Sequence, residues 1–533
     1  KSFKGHFGQA QRGAARPPSV LSARRRPSDM KDSGPPRKVS GLKRQAVRGM
    51  WRLLLIVFLN AVVNLSLFFD LENAFLNSLV VCPEPVPDPT CPLGSTLNGT
   101  RCVAEPPTSR DWSFSAHCAD QHQVLNAGRS LGATFQTAGA ISGIVAILLI
   151  GPLIDTFGRK PVLIASLCGG FVKSALQLLA SLVIGHPRLQ KAVVLAACVV
   201  FSLTNNFILA ATAMAADMAP QGTGGRAASF AALGFVHSGS MAVGFLGGFF
   251  VLRENFASYT LVWFGSAAAN VLIAILACFL LRETVRGPES EETSSSESSR
   301  AGGQRPLERL EASCGAFGDF FRDGVLGQLI LLWCLFNTTT VTEALSRQVL
   351  LGPLQYTQAK ASLTSIFHPA LGAVGSAMSG KCVRRLDASL VLGLVMFVLA
   401  LGHACTGLCM ALDGDRAILF WAGEVLIGLS AGILHPVSSA IFSVRVDLTK
   451  QGMLFSLLGL AHIFGRMVGV QVFVKRMFNS DWTGWKGGAV FFALSAVATI
   501  CIPWLAVIIG LDKRNTVKDG TDSESSFEML DSE

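Results

Sequence analysis

Two pairs of ionisable side chains lie one helical turn apart inside strongly apolar stretches of this sequence. His462 and Arg466 form one pair, and Glu343 and Arg347 form the other. Residues four positions apart share one face of a helix, so Glu343 can neutralise Arg347. The first pair contains two groups able to carry positive charge, and it therefore needs an anionic partner: Glu343, Asp70 or an acidic group on a bound solute. A purely structural Glu343–Arg347 ion pair stays open as an alternative.

Further ionisable side chains fall in apolar stretches, where burying a charge is costly and usually serves binding or proton transfer. Histidine suits proton coupling because its ordinary pKa is about 6.5. The further candidates for solute binding or proton coupling are Asp70, Glu72, His237, Glu424 and His435. Asp70 and Glu72 are equally consistent with a place among the outer headgroups. A lone histidine such as His237 or His368 is commonly a packing residue.

Hydrophobic segments long enough to cross a bilayer carry all these residues. The chain has 533 residues, half of them apolar and only 15% charged, which favours a membrane protein over a soluble one. A crossing needs about 20 mostly apolar residues. Twelve such segments are predicted, at 52–80, 127–150, 161–185, 191–216, 227–251, 259–281, 325–351, 360–380, 388–411, 417–443, 452–474 and 487–511. The fold class predicted is an all-α membrane protein with twelve transmembrane helices.

A polar, Ser- and Glu-rich stretch at 283–323 divides these segments into six and six, and it reads as a cytosolic linker that cannot bury a core. The predicted domains are a disordered basic cytosolic tail, an amino-terminal half, the linker, a carboxyl-terminal half and an acidic disordered tail. Their boundaries are 1–51, 52–282, 283–323, 324–511 and 512–533.

The basic amino-terminal segment predicts orientation. Residues 1–52 carry 14 Lys or Arg against Asp29 and Asp32, and most other Lys and Arg fall in alternate loops. Positive charge stays on the cytosolic side of a membrane, so both termini are predicted to be cytosolic, with anionic lipid as a partner. Nucleic-acid binding is not expected, since no nucleic-acid motif is present. Residues 1–28 also resemble an organelle transit segment. The plasma membrane and an endolysosomal membrane are both left open.

The long loop at 81–124 has the composition of an extracytosolic segment. It contains four cysteines and the sequon Asn98-Gly-Thr, which accepts N-linked glycan. An even set of cysteines in such a loop predicts disulfide bonds, with three pairings equally open. The candidates are Cys82, Cys91, Cys102 and Cys118.

A short motif joins the second and third predicted segments: Gly151-Pro-Leu-Ile-Asp155-Thr-Phe-Gly158-Arg159-Lys160. Gly151 allows close helix approach, Asp155 ends a helix, and Gly158 permits a tight turn. The two basic residues can meet carboxylates and the carbonyl ends of helices. The motif resembles the signature loop of the major facilitator superfamily. A weaker copy, containing Gly380, Arg384 and Arg385 but with no acid four residues after the glycine, lies at the matching point of the second half.

The resemblance implies two six-helix halves related by a pseudo-two-fold axis, with a central solute site and no resident cofactor. It implies that segments 1, 2, 4, 5, 7, 8, 10 and 11 line the cavity, so Lys173 on segment three and His403 on segment nine are discounted as ligands. The resemblance also implies that the signature loop acts as a conformational gate, and it adds Asp217 and Arg226 to the residues of that gate. Together with Gly247-Gly248 and Arg282-Glu283-Thr284, these residues resemble the corresponding ones of proton-coupled folate transporters and of tetracycline-efflux carriers.

The predicted function is secondary active transport of a small solute, an organic anion, by alternating access with proton coupling. Arg466 and His462 would hold the anion, and a carboxylate or histidine would titrate. A non-transporting sensor or scaffold, and a proton-antiport efflux carrier of hydrophobic compounds, are the alternatives. No enzyme motif and no metal-ligand spacing is present, so neither catalysis nor a metal is expected. The protein is expected to be a monomer.

Overall fold

The computed structural model describes most of the hydrophobic part of the chain. Residues 46–533 form one compact unit, and of residues 1–45 the backbone is described from Arg37 onward, where it is helical. The described ranges are 37–67, 95–98, 101–104, 121–183, 186–220, 222–253, 259–284, 324–351, 366–412, 416–447, 450–478 and 484–528, with single residues between 318 and 356.

The chain is built from helices, with one small hairpin. The helices are α1 (Arg37–Asn60), α2 (Gln121–Phe157), α3 (Arg159–Leu182), α4 (Pro187–Thr204), α5 (Phe207–Met218), α6 (Thr223–Arg253), α7 (Tyr259–Leu280), α8 (Gly324–Asn337), α9 (Thr342–Leu351), α10 (Phe367–Arg385), α11 (Ala388–Ala411), α12 (Ala417–Val444), α13 (Gln451–Gly469) and α14 (Gly484–Glu528). Two antiparallel strands, β1 (Ser95–Asn98) and β2 (Arg101–Ala104), form the hairpin within the predicted outer loop.

Eleven segments among the described residues are long and apolar enough to cross a membrane. They match eleven of the twelve predicted segments, and the predicted segment at 360–380 is not among them. Helix α10 takes its place, with 19 residues that include Lys381 and two terminal arginines. Its small and basic residues lower its hydropathy. The first segment begins at Val47 rather than at 52, because α1 begins earlier than its most apolar stretch, and residues 68–80 of the predicted segment lie outside the described residues.

The helices pack as two groups, the first ending with α7 and the second beginning with α8. Within the first group α3 packs on α4 and α7, and within the second α11 packs on α12 and α14. The groups meet along two seams: α2 lies against α13, and α6 lies against α10 and α12. The end of the bundle that carries residues 151–160 is called the motif end below.

Two crossings are broken by polar residues in a way that shapes the interior. Asn205 and Asn206 separate α4 from α5. A 3-10 turn at Thr338–Val341 separates α8 from α9, and its threonine hydroxyls donate to carbonyls three residues earlier. Such local bonds compete with the regular helix ladder and tighten the turn. The break leaves Asn337, at the end of α8, facing α13.

The outer surface is apolar, as expected for helices that face lipid. Phe279 is 83% exposed and Ile418 is 70% exposed, while Trp263, Phe336 and Phe491 are fully buried between helices. Exposed aromatic and aliphatic side chains in such number are stable only in contact with an apolar solvent.

Candidate functional site

Asp155 joins the two halves at the motif end. Its carboxylate accepts hydrogen bonds from the backbone N–H groups of Gly452 (3.0 Å) and Met453 (2.9 Å), the first residues of α13. The N-terminus of a helix carries partial positive charge and unpaired N–H groups, which a carboxylate satisfies. Gly151, one turn earlier on α2, allows this approach, because a Cβ there would lie 2.7 Å from the Ser456 hydroxyl oxygen.

Arg159 connects this contact to the rest of the first half. Its Nη1 lies 2.9 Å from Asp155 Oδ1, and its Nε lies 2.9 Å from Asp217 Oδ2 at the end of α5. The Thr284 hydroxyl also donates to Asp217, at 2.7 Å. The buried guanidinium therefore fixes two carboxylates, one of which holds the second half.

Gly158 lies at a turn where only glycine fits. Its φ is +101°, and a Cβ would lie 2.5 Å from a Glu283 carboxylate oxygen. That carboxylate accepts from the backbone N–H groups of Arg159 and Lys160, each at 3.0 Å, and so caps the N-terminus of α3. The Lys160 ammonium donates to the carbonyl of Cys278 at 2.8 Å, near the C-terminus of α7. Arg159 and Lys160 thus meet the kinds of partner that the motif predicted.

Arg226 makes a second connection between the halves. Its guanidinium donates to the carbonyl and the hydroxyl of Ser443, at the C-terminus of α12. A cation at the C-terminus of a helix complements the negative end of its dipole. Gly380 lies where α10 approaches α6, with its Cβ position 3.4 Å from Ala228 Cα. Arg384 is exposed and forms no ion pair with a described residue, so the second copy of the motif does not repeat the network of the first.

A cavity of about 430 Å³ lies between α2, α3, α4 and α13. Three of its lining residues can carry positive charge: Lys173, His462 and Arg466. No aspartate or glutamate is among its described lining residues. A cavity inside a membrane bundle can hold water or a guest molecule. Because the charged groups on its lining are cations, it favours an anionic guest.

Imidazole groups lie beside this cavity at the centre of the bundle. His462 Nδ1 lies 2.6 Å from Asn337 Oδ1, which the break after α8 presents to α13. The His435 ring lies 6.0 Å from the His462 ring and 5.1 Å from Trp333, and it remains exposed despite its place midway along α12. His237 on α6 is within electrostatic range of His435. The seam of α2 with α13 therefore contributes His462, and the seam of α6 with α12 contributes His237 and His435, to one central region.

A second polar cluster lies within the carboxyl-terminal half. Glu424 on α12 is buried and accepts a hydrogen bond from the Ser346 hydroxyl of α9. His368 Nδ1 on α10 lies 3.8 Å from its other carboxylate oxygen. The fully buried His403 of α11 lies 3.5 Å from the Thr342 hydroxyl. The described residues contain no group of three or more side chains arranged to hold a metal ion.

Several predicted residues lie outside what the structure describes. Asp70 and Glu72 fall in the gap after residue 67, and only the backbone of α9 is described at Glu343 and Arg347. The cysteine candidates are likewise outside the described residues, except that the backbone of Cys102 lies in β2. Asn98 ends β1 and is paired with Arg101, the first residue of β2. The disulfide and glycosylation hypotheses remain predictions.

Two residues that sequence reasoning set aside have specific positions. Lys173 was discounted because the third segment was assigned a supporting role, yet it lines the cavity. His368 was read as a packing residue, yet it faces the Glu424 carboxylate. Lys173 could have been found by treating every lysine midway along an apolar segment as a candidate. The Glu424 contact depends on packing between distant segments.

Comparison with known proteins agrees with this architecture. Residues 120–470 match the sequence profile described as Major Facilitator Superfamily. Comparison with curated proteins gives no significant match. The crystal structure of the human organic anion transporter MFSD10 (TETRAN) superposes with a TM-score of 0.59 at 16% identity, covering 86% of this chain and 99% of that one. A bacterial homologue of the iron transporter ferroportin in its outward-facing state gives 0.59 at 12% identity, covering 86% and 99%. The proton:xylose symporter XylE gives 0.58 at 12%, covering 86% and 95%.

Proposed function

The chain belongs to the major facilitator superfamily and is a multi-pass membrane transporter rather than an enzyme, and from that premise we propose that it carries a small organic anion by alternating access, coupled to protons. The single observation that carries the proposal is the cavity whose described charged lining consists of cations. Lys173 lies on one half and Arg466 on the other, so an anion bound between them would contact both.

The energetic argument concerns positive charge placed inside an apolar bundle. An ammonium and a guanidinium on the wall of such a cavity are costly to bury, and an anionic solute bound between them offsets part of that cost. The similarity to a human protein described as an organic anion transporter supports the same class of solute.

Alternating access would use the motif end as a gate. The contacts of Asp155 with α13 and of Arg226 with α12 close that end. Solute would enter the cavity from the opposite end. Opening at the motif end would require both contacts to break while the halves rock about the central site. Both termini, on this proposal, face the cytosol together with the motif end.

Glu424 is the proposed proton-coupling group. Its carboxylate is buried, and the groups facing it are the Ser346 hydroxyl and the His368 imidazole, with His403 on the next helix. Glu343 and Arg347 lie within three residues of Ser346 on α9, and their side chains are outside the described residues. Gain or loss of one proton changes the charge of this cluster, and thereby the packing of α9, α10 and α12, without occupying the cavity.

The proposal is tested in proteoliposomes. Uptake of a panel of labelled organic anions is measured at about pH 5.5 and about pH 7.5, which bracket the ordinary imidazole pKa of about 6.5. We expect saturable uptake that is faster with acid outside and is lost in Arg466→Gln. Uptake of neutral or cationic hydrophobic compounds in preference to anions would contradict the proposed solute class and favour an efflux carrier.

A further inference from the structure

Thr284 fastens the end of the first half to the network at the motif end. Its hydroxyl donates to Asp217 Oδ2 at 2.7 Å, and its backbone N–H donates to the Glu283 carboxylate at 2.9 Å. Asp217 in turn contacts Arg159, and Arg159 contacts Asp155, the residue that binds the start of α13. The Thr284 hydroxyl is therefore connected, through two ion pairs, to the seam between the halves.

The surroundings of Thr284 leave it reachable from outside the bundle. Residues 281–284 follow the end of α7 without regular secondary structure. Thr284 is half-buried, and the two residues before it are exposed. In the sequence Arg282 lies two residues before this threonine and Arg286 lies two residues after it. Basic residues on both sides of a threonine form a charge pattern that basic-directed protein kinases recognise.

The charges around this hydroxyl are balanced. Among the described residues they are three carboxylates and three cations, called the gate network below: Asp155, Asp217 and Glu283, with Arg159, Lys160 and Arg226. A phosphate on threonine adds about 1.5 to 2 negative charges at neutral pH. It also replaces the hydrogen that Thr284 donates to Asp217. A phosphate here thus substitutes repulsion from two carboxylates for a hydrogen bond to one of them.

We propose that Thr284 is a phosphorylation site whose phosphate releases the motif end. In the reaction the threonine hydroxyl oxygen attacks the γ-phosphorus of ATP held by a protein kinase, the bond to ADP breaks, and the hydroxyl proton passes to a base of the kinase. The inference rests on the proposed function, which places the motif end in the cytosol, where ATP is available.

The released state follows from the position of Glu283 next to Thr284. Repulsion from Asp217 moves the phosphorylated residue away, and the adjacent Glu283 moves with it. The N-terminus of α3 then loses the carboxylate that accepts from the N–H groups of Arg159 and Lys160. Arg159 is no longer fixed beside Asp155, and the contact with α13 weakens.

The test compares proteins that differ only at residue 284. Phosphothreonine is inserted there by an expanded genetic code, and hydrogen–deuterium exchange is measured at 159–163 and 451–457. Thr284→Val removes the donated hydrogen without adding charge and should speed exchange about tenfold, the factor for one hydrogen bond to a charged group. Phosphothreonine should speed exchange about tenfold more, because repulsion is added. Exchange no faster with phosphothreonine than in Thr284→Val overturns the proposal.

Phosphoserine inserted at Ser389 is the matched control. Ser389 is half-buried at the start of α11 and also lies beside a carboxylate, since its N–H donates to Asp387 at 2.8 Å. It carries the same added charge outside the gate network, so exchange at 159–163 and 451–457 should keep the wild-type rate. Equal acceleration by both phosphates would mean that the position of the charge does not matter, and the proposal would fail.

Acceptance of phosphate is tested on the folded wild-type protein. The protein in detergent is incubated with ATP and the catalytic domain of protein kinase C, and residue 284 is then analysed by mass spectrometry. Phosphate on Thr284 is expected, and its absence overturns the proposal even if no variant folds. None of these measurements uses a solute. Failure of the wild-type protein to transport any anion therefore overturns the proposed function alone, whereas unchanged exchange overturns the phosphorylation site alone.

Discussion

The contact of Asp155 with the start of α13 permits a quantitative prediction. In Asp155→Asn the side chain keeps its size, but one carboxylate oxygen becomes an amide NH2 that cannot accept, so one of the hydrogen bonds from Gly452 and Met453 is lost and the other becomes neutral. Loss of a charge-assisted hydrogen bond costs about 2 kcal/mol and neutralising another costs about 1 kcal/mol, so the two changes amount to about 3 kcal/mol. We expect the closed motif end to be destabilised by that amount.

Hydrogen–deuterium exchange of the backbone amides measures this effect without a probe attached to the protein. A change of about 3 kcal/mol raises the population of the open state about 100-fold, and the amides of residues 450–458 should exchange faster by a similar factor. Solute uptake should fall, because the halves no longer return to the closed arrangement. The exchange of α7 and α11, away from the contact, should not change.

Asp387→Asn is the matched control. Asp387 caps its own helix, with a hydrogen bond of 2.8 Å from the Ser389 N–H, and it is exposed. The same chemical change there should increase exchange only at the start of α11 and leave uptake intact. Unchanged exchange at 450–458 in Asp155→Asn, or an equal loss of uptake in both variants, would refute the reasoning.

Three further predictions concern other groups. Gly158→Ala should lower the thermal midpoint by about 1–3 °C, because positive φ and the Glu283 carboxylate together cost about 1–3 kcal/mol. Gly222→Ala, at φ +95° with open space around it, should lower the midpoint less, and an equal loss would show that Glu283 does not matter. Arg226→Ala should speed exchange at 440–447 at least tenfold, the effect of losing a charged hydrogen bond to Ser443; exchange at the wild-type rate would mean that the contact does not hold α12. Glu424→Gln should abolish stimulation of uptake by external acid while solute exchange continues, since a permanently neutral side chain cannot bind and release a proton. Retained stimulation would assign the coupling role to a histidine instead.

The sequence was informative where hydropathy and local spacing determine structure. Eleven of the twelve predicted crossings match long apolar helices among the described residues, whereas α10 has too many small and basic residues to meet that criterion and packs closely against α6 and α12. The proximity of His462 and Arg466 follows from their spacing on one helix. The partner of His462, Asn337, is 125 residues away and could not be found by periodicity.

The position of Lys173 was missed for a different reason. Segment order suggested a supporting helix, but the cavity is lined by α2, α3, α4 and α13, and Lys173 is among its lining residues. A Cβ at Gly139 would lie 2.8 Å from the Ser202 hydroxyl, which shows how near α2 lies to α4. Such approach distances depend on three-dimensional packing, and a single sequence does not contain them.

The connection between α12 and α13 is held at both ends by the other half. Arg226 holds Ser443 and Asp155 holds Gly452, and these two anchor points are nine positions apart in the chain. The two contacts hold the end of α12 and the start of α13, so a movement that separates the halves at this end must break both. Release of the motif end is consequently cooperative, with few half-released molecules. An antibody fragment that clamps this one connection would arrest the whole transport cycle.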